Sequence, residues 1–162
     1  MMAADEKPGA RDFDFLIGRW HVHNRRLEER LTGSTSWLEF PATLETRSIL
    51  QGIGNIDQFR TSFDGRAFEG FTLRLFNPAS GNWSLYWADN HSAELQPPLI
   101  GRFRDGRGEF FADDTFAGRP IRVRFIWSDI SSNSAHWEQA FSADGGSTWE
   151  TNWTMDFTRS ME

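Results

Sequence analysis

The chain has 162 residues, a length that fits one domain with a substantial hydrophobic core. Its net charge of −6 argues against nucleic acid as a partner, because phosphate backbones attract basic proteins. It has no cysteine, which excludes disulfides, thiol nucleophiles and thiolate metal sites, and no apolar run long enough to span a bilayer.

The N-terminal segment is polar and lacks the apolar stretch of a secretory signal peptide. We therefore expect residues 1–12 to be a disordered leader, residues 13–162 to form one domain, and the protein to be cytoplasmic. A short helix is predicted over Ala10–Ile17, with Phe13, Leu16 and Ile17 on one side. It precedes the first strand and is placed to close one end of a barrel.

Short runs rich in Trp, Phe, Thr, Ile and Val follow, separated by Gly, Asn, Asp and Pro. The predicted strands are Trp20–Glu28, Thr35–Phe40, Ala42–Ile49, Asn55–Phe63, Ala67–Phe76, Asn82–Asp89, Leu99–Arg104, Glu109–Asp113, Ile121–Ser128, Ala135–Ser142 and Glu150–Thr158. The second and third are also compatible with one strand bent at Pro41. Short links favour antiparallel neighbours. The prediction is an all-β fold: a single antiparallel up-and-down β-barrel of about ten strands with a short N-terminal helix.

The stretch Ser142–Trp149, SADGGSTW, resembles the Asp-box turn of sialidases. A sialidase-type propeller needs about four to eight four-stranded blades, which this chain is too short to form. We therefore interpret the box as the loop of the last hairpin, with Asp144 accepting backbone N–H groups and Trp149 covering the turn from the apolar face. Matching the aromatic faces predicts the strand pairs Phe141/Trp149, Gln139/Thr151, Trp137/Trp153 and Ala135/Met155.

Two stretches resemble a known family. Gly18-x-Trp20 is similar to the G-x-W motif that opens the first strand of calycins, the group that contains lipocalins and fatty-acid-binding proteins. The run from Trp137 to Arg159 looks like a bacterial lipocalin-like domain family of unknown function. The resemblance implies that Trp20 closes the barrel floor, that Arg159 packs over it, and that the barrel encloses a cavity. It implies no reaction.

The main functional hypothesis is that a small apolar or aromatic molecule binds inside the barrel. Gln139 and Thr151 are neighbours in the predicted register and would orient such a ligand. The predicted ligand-binding residues are Trp87, Trp127, Trp137, Gln139, Thr151 and Trp153.

Other hypotheses stay open at this point. One is an isomerase or lyase acting on a hydrophobic substrate, with His91 or Glu138 as its base. Another is a non-catalytic interaction module, and a homo-oligomer is compatible with either. Haem barrels of the nitrobindin type share G-x-W, but their glycine-rich and Tyr-Pro continuation is missing, so His91 and His136 have little support as axial ligands. We expect no cofactor and no metal, since His21 and His23 alternate with the inward Trp20 and point to solvent.

Overall fold

Ten antiparallel strands form a closed barrel in the computed structural model, which describes residues 2–161 apart from the side chain of Phe63. The strands are β1 Gly18–Leu27, β2 Trp37–Ile49, β3 Gly54–Phe63, β4 Arg66–Asn77, β5 Asn82–Asp89, β6 Leu99–Arg104, β7 Arg107–Phe116, β8 Arg119–Ser128, β9 Ser134–Ser142 and β10 Glu150–Arg159. Each strand pairs with its neighbour in sequence, and β1 pairs with β10 to close the barrel. The predicted fold class is confirmed.

The two strand segments on either side of Pro41 form one strand, β2. Pro41 lies opposite His23 of β1, and the ladder between β1 and β2 continues through this pair without a break. No helix among the described residues is both long enough and apolar enough to cross a membrane.

The N-terminal segment closes one end of the barrel, but it is not the predicted α-helix. Its backbone forms successive turns of i to i+3 hydrogen bonds, with a 3₁₀ helix at Asp14–Leu16. Ala10, Phe13 and Leu16 have no exposed surface, and their spacing of three residues matches the three residues per turn of a 3₁₀ helix. Ile17, which the helical interpretation placed with them, is only partly buried.

Part of the predicted leader belongs to this packed end. The Gly9 carbonyl accepts a 3.0 Å hydrogen bond from Trp83 Nε1, and Ala10 is fully buried. A short 3₁₀ helix also spans Ala4–Glu6. The packed structure therefore begins before residue 13.

The floor of this closed end is built on Trp20, whose indole N–H donates to the Leu16 carbonyl at 2.9 Å. The Arg159 guanidinium lies over the Trp20 ring, 4.1 Å from its centroid. It also donates hydrogen bonds of 2.8 Å each to the carbonyls of Phe15, Ile17 and Ser132. Gly18 has a φ of +119°, and a Cβ there would lie 2.6 Å from Arg159 Nη1. These contacts connect the N-terminal segment to the last strand.

The last hairpin has the predicted loop, but its register differs from the prediction. Glu150 lies opposite Phe141 and Thr151 opposite Ala140, after which the register shifts at Asn152 so that Trp153 faces Gln139 and Met155 faces Trp137. An extra residue in one strand is a β-bulge. The alternation of apolar side chains gives no sign of this insertion.

The bulge changes the position of Trp149. Because the register shifts, Trp149 does not lie on the inner face with Trp153. It lies on the outer surface, where Arg124 stacks over it at 4.4 Å and Phe111 is 6.2 Å away. The prediction that Trp149 covers the turn from the apolar face is therefore wrong.

The Asp-box loop is held by its own side chains. Asp144 accepts hydrogen bonds from the Ser142 hydroxyl at 2.7 Å, from the Thr148 N–H at 2.9 Å and from the Thr148 hydroxyl at 2.6 Å. The bonds from Thr148 and Ser142 lower the pKa of Asp144 to about 2. Gly145 and Gly146 supply the positive φ angles of the turn. The box thus acts as a turn.

Candidate functional site

A cavity of about 190 Å³ lies inside the barrel. Its wall consists mainly of aromatic and aliphatic side chains from the inward faces of the strands. Five of the six predicted ligand-binding residues line it: Trp87, Trp127, Trp137, Gln139 and Trp153. They meet because each lies on the inward face of its strand, and the closed sheet directs all inward faces to one space.

The sixth predicted residue, Thr151, does not line the cavity. The bulge places it opposite Ala140, whereas Asn152 is fully buried and accepts a 2.9 Å hydrogen bond from Gln139 Nε2. The predicted polar pair of Gln139 and Thr151 is therefore corrected to Gln139 and Asn152. This bond holds the Gln139 amide at the cavity wall.

A buried ion pair and its hydrogen-bond partners form one polar region of the cavity wall, which we call the polar pole. Arg74 Nη2 lies 2.6 Å from Asp57 Oδ2, and the two side chains are only 5% and 2% exposed. Arg74 Nη1 donates to Asn55 at 2.9 Å, and Asp57 Oδ1 accepts the Thr72 N–H at 2.9 Å. Asp57, Thr72 and Arg74 all line the cavity. Sequence reasoning missed this cluster.

Arg74 keeps one donor without a partner among the described residues. Its Nε is buried and forms no hydrogen bond, while its guanidinium lies near the rings of Phe13 at 5.3 Å and Trp127 at 6.0 Å. A buried donor without a partner is costly.

Trp87 links the inner cavity to the opening of the barrel. Its indole N–H donates to Asp89 Oδ2 at 2.9 Å, and its ring stacks on Phe68 with a centroid distance of 6.3 Å. A Cβ at Gly70 would overlap the Trp87 ring, so the ring can lie here only because residue 70 is glycine. Partial burial opposes ionisation of Asp89, but hydrogen bonds from Trp87 and from the backbone of Ser92 and His91 outweigh it and lower its pKa.

Above the inner cavity is a wider recess of about 980 Å³, which we call the vestibule. Trp87, Gln139, Phe141 and Trp153 line both spaces, so the two adjoin. The ionisable groups around the vestibule are Arg26, Arg30, Asp64, Arg66, Asp89 and His91. The loop of residues 90–98 lies beside the vestibule. Strand β6 pairs with β5 only as far as Leu85, and beyond this point the Gln96 N–H donates to the Trp87 carbonyl at 2.8 Å.

Two of the residues proposed as bases or haem ligands lie outside the barrel. Glu138 and His136 are on the outer face of β9, where His136 contacts Glu138 at 3.3 Å and Asp156 at 2.7 Å. Neither lines the inner cavity or the vestibule. Glu138 as a catalytic base and His136 as an axial ligand for a group inside the barrel are therefore wrong. His91 is exposed at the rim of the vestibule.

The His136 cluster predicts a dependence of stability on pH. Partial burial lowers the His136 pKa, but hydrogen bonds and charges from Asp156 and Glu138 outweigh this and raise it. The folded state thus binds the proton more tightly, so the stabilisation is complete below the unfolded pKa of about 6.5 and is lost as pH rises through the higher folded pKa. We expect urea unfolding to show that His136→Gln destabilises the protein at pH 5.5 and much less at pH 8.5.

The control for this prediction is His21→Gln, since His21 is exposed on the outer face of β1. We expect this variant to follow the natural chain at both pH values. A pH-independent effect of His136→Gln would contradict the charge-based explanation.

No cluster of three or more His, Cys, Asp or Glu side chains in residues 2–161 is arranged to hold a metal ion. His21 and His23 are exposed on the outside of β1, and His23 contacts Glu39 at 2.9 Å.

No protein-family model matches the sequence, and no curated protein matches it significantly. Several solved structures are similar over most of the chain. An S-type phycobiliprotein lyase, CPES from Guillardia theta, has a TM-score of 0.63 at 9% identity and covers 93% of this chain and 91% of its own. Rv2717c from M. tuberculosis has a TM-score of 0.58 at 13% identity, with 94% and 98% covered. The similarity is one of fold.

A redesigned β-barrel matches as well, with a TM-score of 0.51 at 11% identity over 93% of this chain and 96% of its own. Together these neighbours fit the fold of a ten-stranded antiparallel barrel. At such identities the shared barrel carries over, but the neighbours' activities do not. The function has to be argued from the cavity.

Proposed function

We propose that this lipocalin-like barrel binds a small apolar or aromatic molecule in its inner cavity. The observation that carries the proposal is the cavity of about 190 Å³, which is lined mainly by aromatic and aliphatic side chains and adjoins a wider vestibule. Small-molecule sites are concave and mostly apolar, with a few polar groups that orient the ligand. This cavity has that composition.

The volume sets the size of the ligand. An apolar cavity of about 150 Å³ holds a benzene molecule. The inner cavity therefore fits one substituted aromatic ring, and a longer molecule would extend into the vestibule. The rings of Trp137 and Trp153 lie 6.0 Å apart at 84° and offer a face and an edge to a bound ring.

The polar groups support an orienting role. Arg74 and Gln139 both line the cavity, and the Gln139 amide is held in place by Asn152. A ligand hydroxyl or carbonyl group that forms a hydrogen bond with either side chain would do so at little entropic cost, because the protein groups are already ordered. The ligand class is thus an aromatic body with a hydrogen-bonding substituent.

The proposal is tested by a substitution that fills the cavity. Ala112 of β7 lines it and is partly buried, so Ala112→Phe would place a ring in the ligand space. We expect titration calorimetry with 4-ethylbenzyl alcohol to show saturable binding by the natural chain and a loss of affinity of about tenfold or more in Ala112→Phe, since the ring removes the contact volume of the ligand.

The matched control is Ala79→Phe in the exposed turn after β4, at the closed end of the barrel. We expect it to bind like the natural chain. If the natural chain binds no one-ring aromatic alcohol of this size, or if Ala112→Phe binds as tightly as Ala79→Phe, the proposal fails.

Catalysis in the same space is less well supported. The carboxylate of Asp57 is the acid group deepest in the cavity, and both of its oxygens are occupied by Arg74 and the Thr72 N–H. The Asp57 carboxylate is thus already bonded to protein donors, and the other proposed base, His91, is exposed at the rim of the vestibule. The geometry therefore favours binding over an isomerase or lyase reaction.

A further inference from the structure

The vestibule has a charge opposite in sign to that of the protein. Three guanidinium groups line it, from Arg26, Arg30 and Arg66, against two carboxylates, from Asp64 and Asp89. The net excess is one positive charge, on a protein whose overall charge is −6. Such a local reversal attracts an anion to the opening of the cavity.

Two of these arginines are held by aromatic rings. Arg26 is the last inward residue of β1 and lies 4.9 Å from the Trp153 ring, which also lines the inner cavity. Arg30 lies 4.9 Å from the Phe116 ring and 5.8 Å from the Phe141 ring. Guanidinium groups on aromatic faces keep their planar N–H edges directed away from the rings. Both arginines are therefore ordered before any ligand arrives.

The carboxylates around them accept hydrogen bonds from neutral donors or are exposed. Asp89 accepts hydrogen bonds from Trp87 and from the N–H groups of His91 and Ser92. Glu150, whose negative charge acts on Arg30, accepts the Leu31 N–H at 2.8 Å. Asp64 is exposed at the rim.

We propose that Arg26 and Arg30 bind the carboxylate of an amphipathic ligand whose aromatic or apolar body occupies the inner cavity. This rests on the proposed function and specifies its ligand class. The planar guanidinium edges match the two oxygens of a carboxylate. Trp153 lies between the two parts of the site, since it touches the cavity on one side and Arg26 on the other.

The protonation behaviour of the arginines agrees with this site. Burial and the nearby charge of Arg30 lower the pKa of Arg26 to about 10. Burial also lowers the pKa of Arg30, although Glu150 opposes the change. Two cations thus share a partly buried space, and an anion between them relieves their repulsion.

The experiment uses two ligands that differ in one group, 4-ethylbenzoate and 4-ethylbenzyl alcohol. Titration calorimetry compares their Kd values for the full chain, for Arg26→Gln/Arg30→Gln, for the single variant Arg30→Gln, and for Arg104→Gln as control. Arg104 is the exposed last residue of β6 at the closed end, so its replacement changes net charge without touching the vestibule.

We expect the natural chain and Arg104→Gln to bind the carboxylate at least about tenfold more tightly than the alcohol, because a charge-assisted hydrogen bond contributes that much. In the double variant this preference is lost while the alcohol binds as before, and Arg30→Gln shows part of the loss. Thermal unfolding checks that each variant is folded, and Arg26→Lys/Arg30→Lys, which keeps the charge, recovers part of the preference.

The outcomes separate the two proposals. If the natural chain binds neither ligand, the proposed function fails. If it binds both ligands equally, or if the arginine variants weaken both ligands to the same extent, the cavity binds ligands but the carboxylate site is overturned.

Discussion

Replacing Arg74 by Met is expected to destabilise the protein by about 3–5 kcal/mol, because it leaves the Asp57 carboxylate buried without its counter-charge. Asp57→Asn is expected to destabilise it by a similar amount, since the guanidinium then loses its anion. The double variant Asp57→Asn/Arg74→Met contains no buried charge, and the amide oxygen introduced at position 57 can still accept the Thr72 N–H. We therefore expect the double variant to be more stable than either single variant. Urea unfolding of the four proteins measures this coupling.

The control cycle uses the exposed pair of Arg107 and Glu109, whose atoms lie 2.9 Å apart with side chains 52% and 46% exposed. Its coupling should be at most about 1 kcal/mol, because water screens exposed pairs. Additive effects of the two buried substitutions would show that Asp57 and Arg74 do not depend on each other, and would contradict the interpretation of the polar pole as one unit.

Phe13→Ala is the second substitution with a large expected effect. Phe13 has no exposed surface, and its ring packs at 4.8 Å from Phe103, 5.0 Å from Trp83 and 5.6 Å from Phe110. Removing a buried phenyl ring usually costs about 3–5 kcal/mol. We expect a loss of this size in urea unfolding, because the Phe13 ring fills space at the closed end of the barrel that no other side chain occupies after truncation.

Phe71→Ala is the matched control. Phe71 is on the outer face of β4 and only partly buried, so the same truncation there should cost clearly less. If Phe13→Ala were no more destabilising than Phe71→Ala, the N-terminal segment would be a cover of the barrel rather than part of its core.

Much of the fold was accessible from the sequence. Alternating aromatic and polar residues, separated by turn-forming residues, predicted the strands, their number and their antiparallel order. The same alternation placed Trp87, Trp127, Trp137, Gln139 and Trp153 on inward faces, and all five line one cavity. The prediction succeeded here because the inward faces of all strands in a closed sheet border the same interior space.

For Thr151 and Trp149 the prediction made from periodicity was wrong. The bulge at Asn152 inserts one residue without changing the local pattern of apolar residues. Thr151 and Trp149, which precede it, are therefore on the face opposite to the one predicted. The prediction of an α-helix in the N-terminal segment was wrong for a related reason. Its buried residues have a spacing that fits a 3₁₀ helix as well as an α-helix, and only packing inside the barrel end selects between them.

By itself, the sequence determined the barrel, the turn role of the Asp-box and the aromatic character of the interior. The polar pole was decided by tertiary structure alone. In β4 the apolar residues Phe71, Leu73 and Leu75 alternate with Thr72 and Arg74, so periodicity would direct the former inward, yet Arg74 is buried. A buried guanidinium is tolerated only beside a carboxylate and other acceptors, and β3 supplies Asp57 and Asn55 from the adjacent strand. That compensation depends on the register of two strands, which no single segment of the chain encodes.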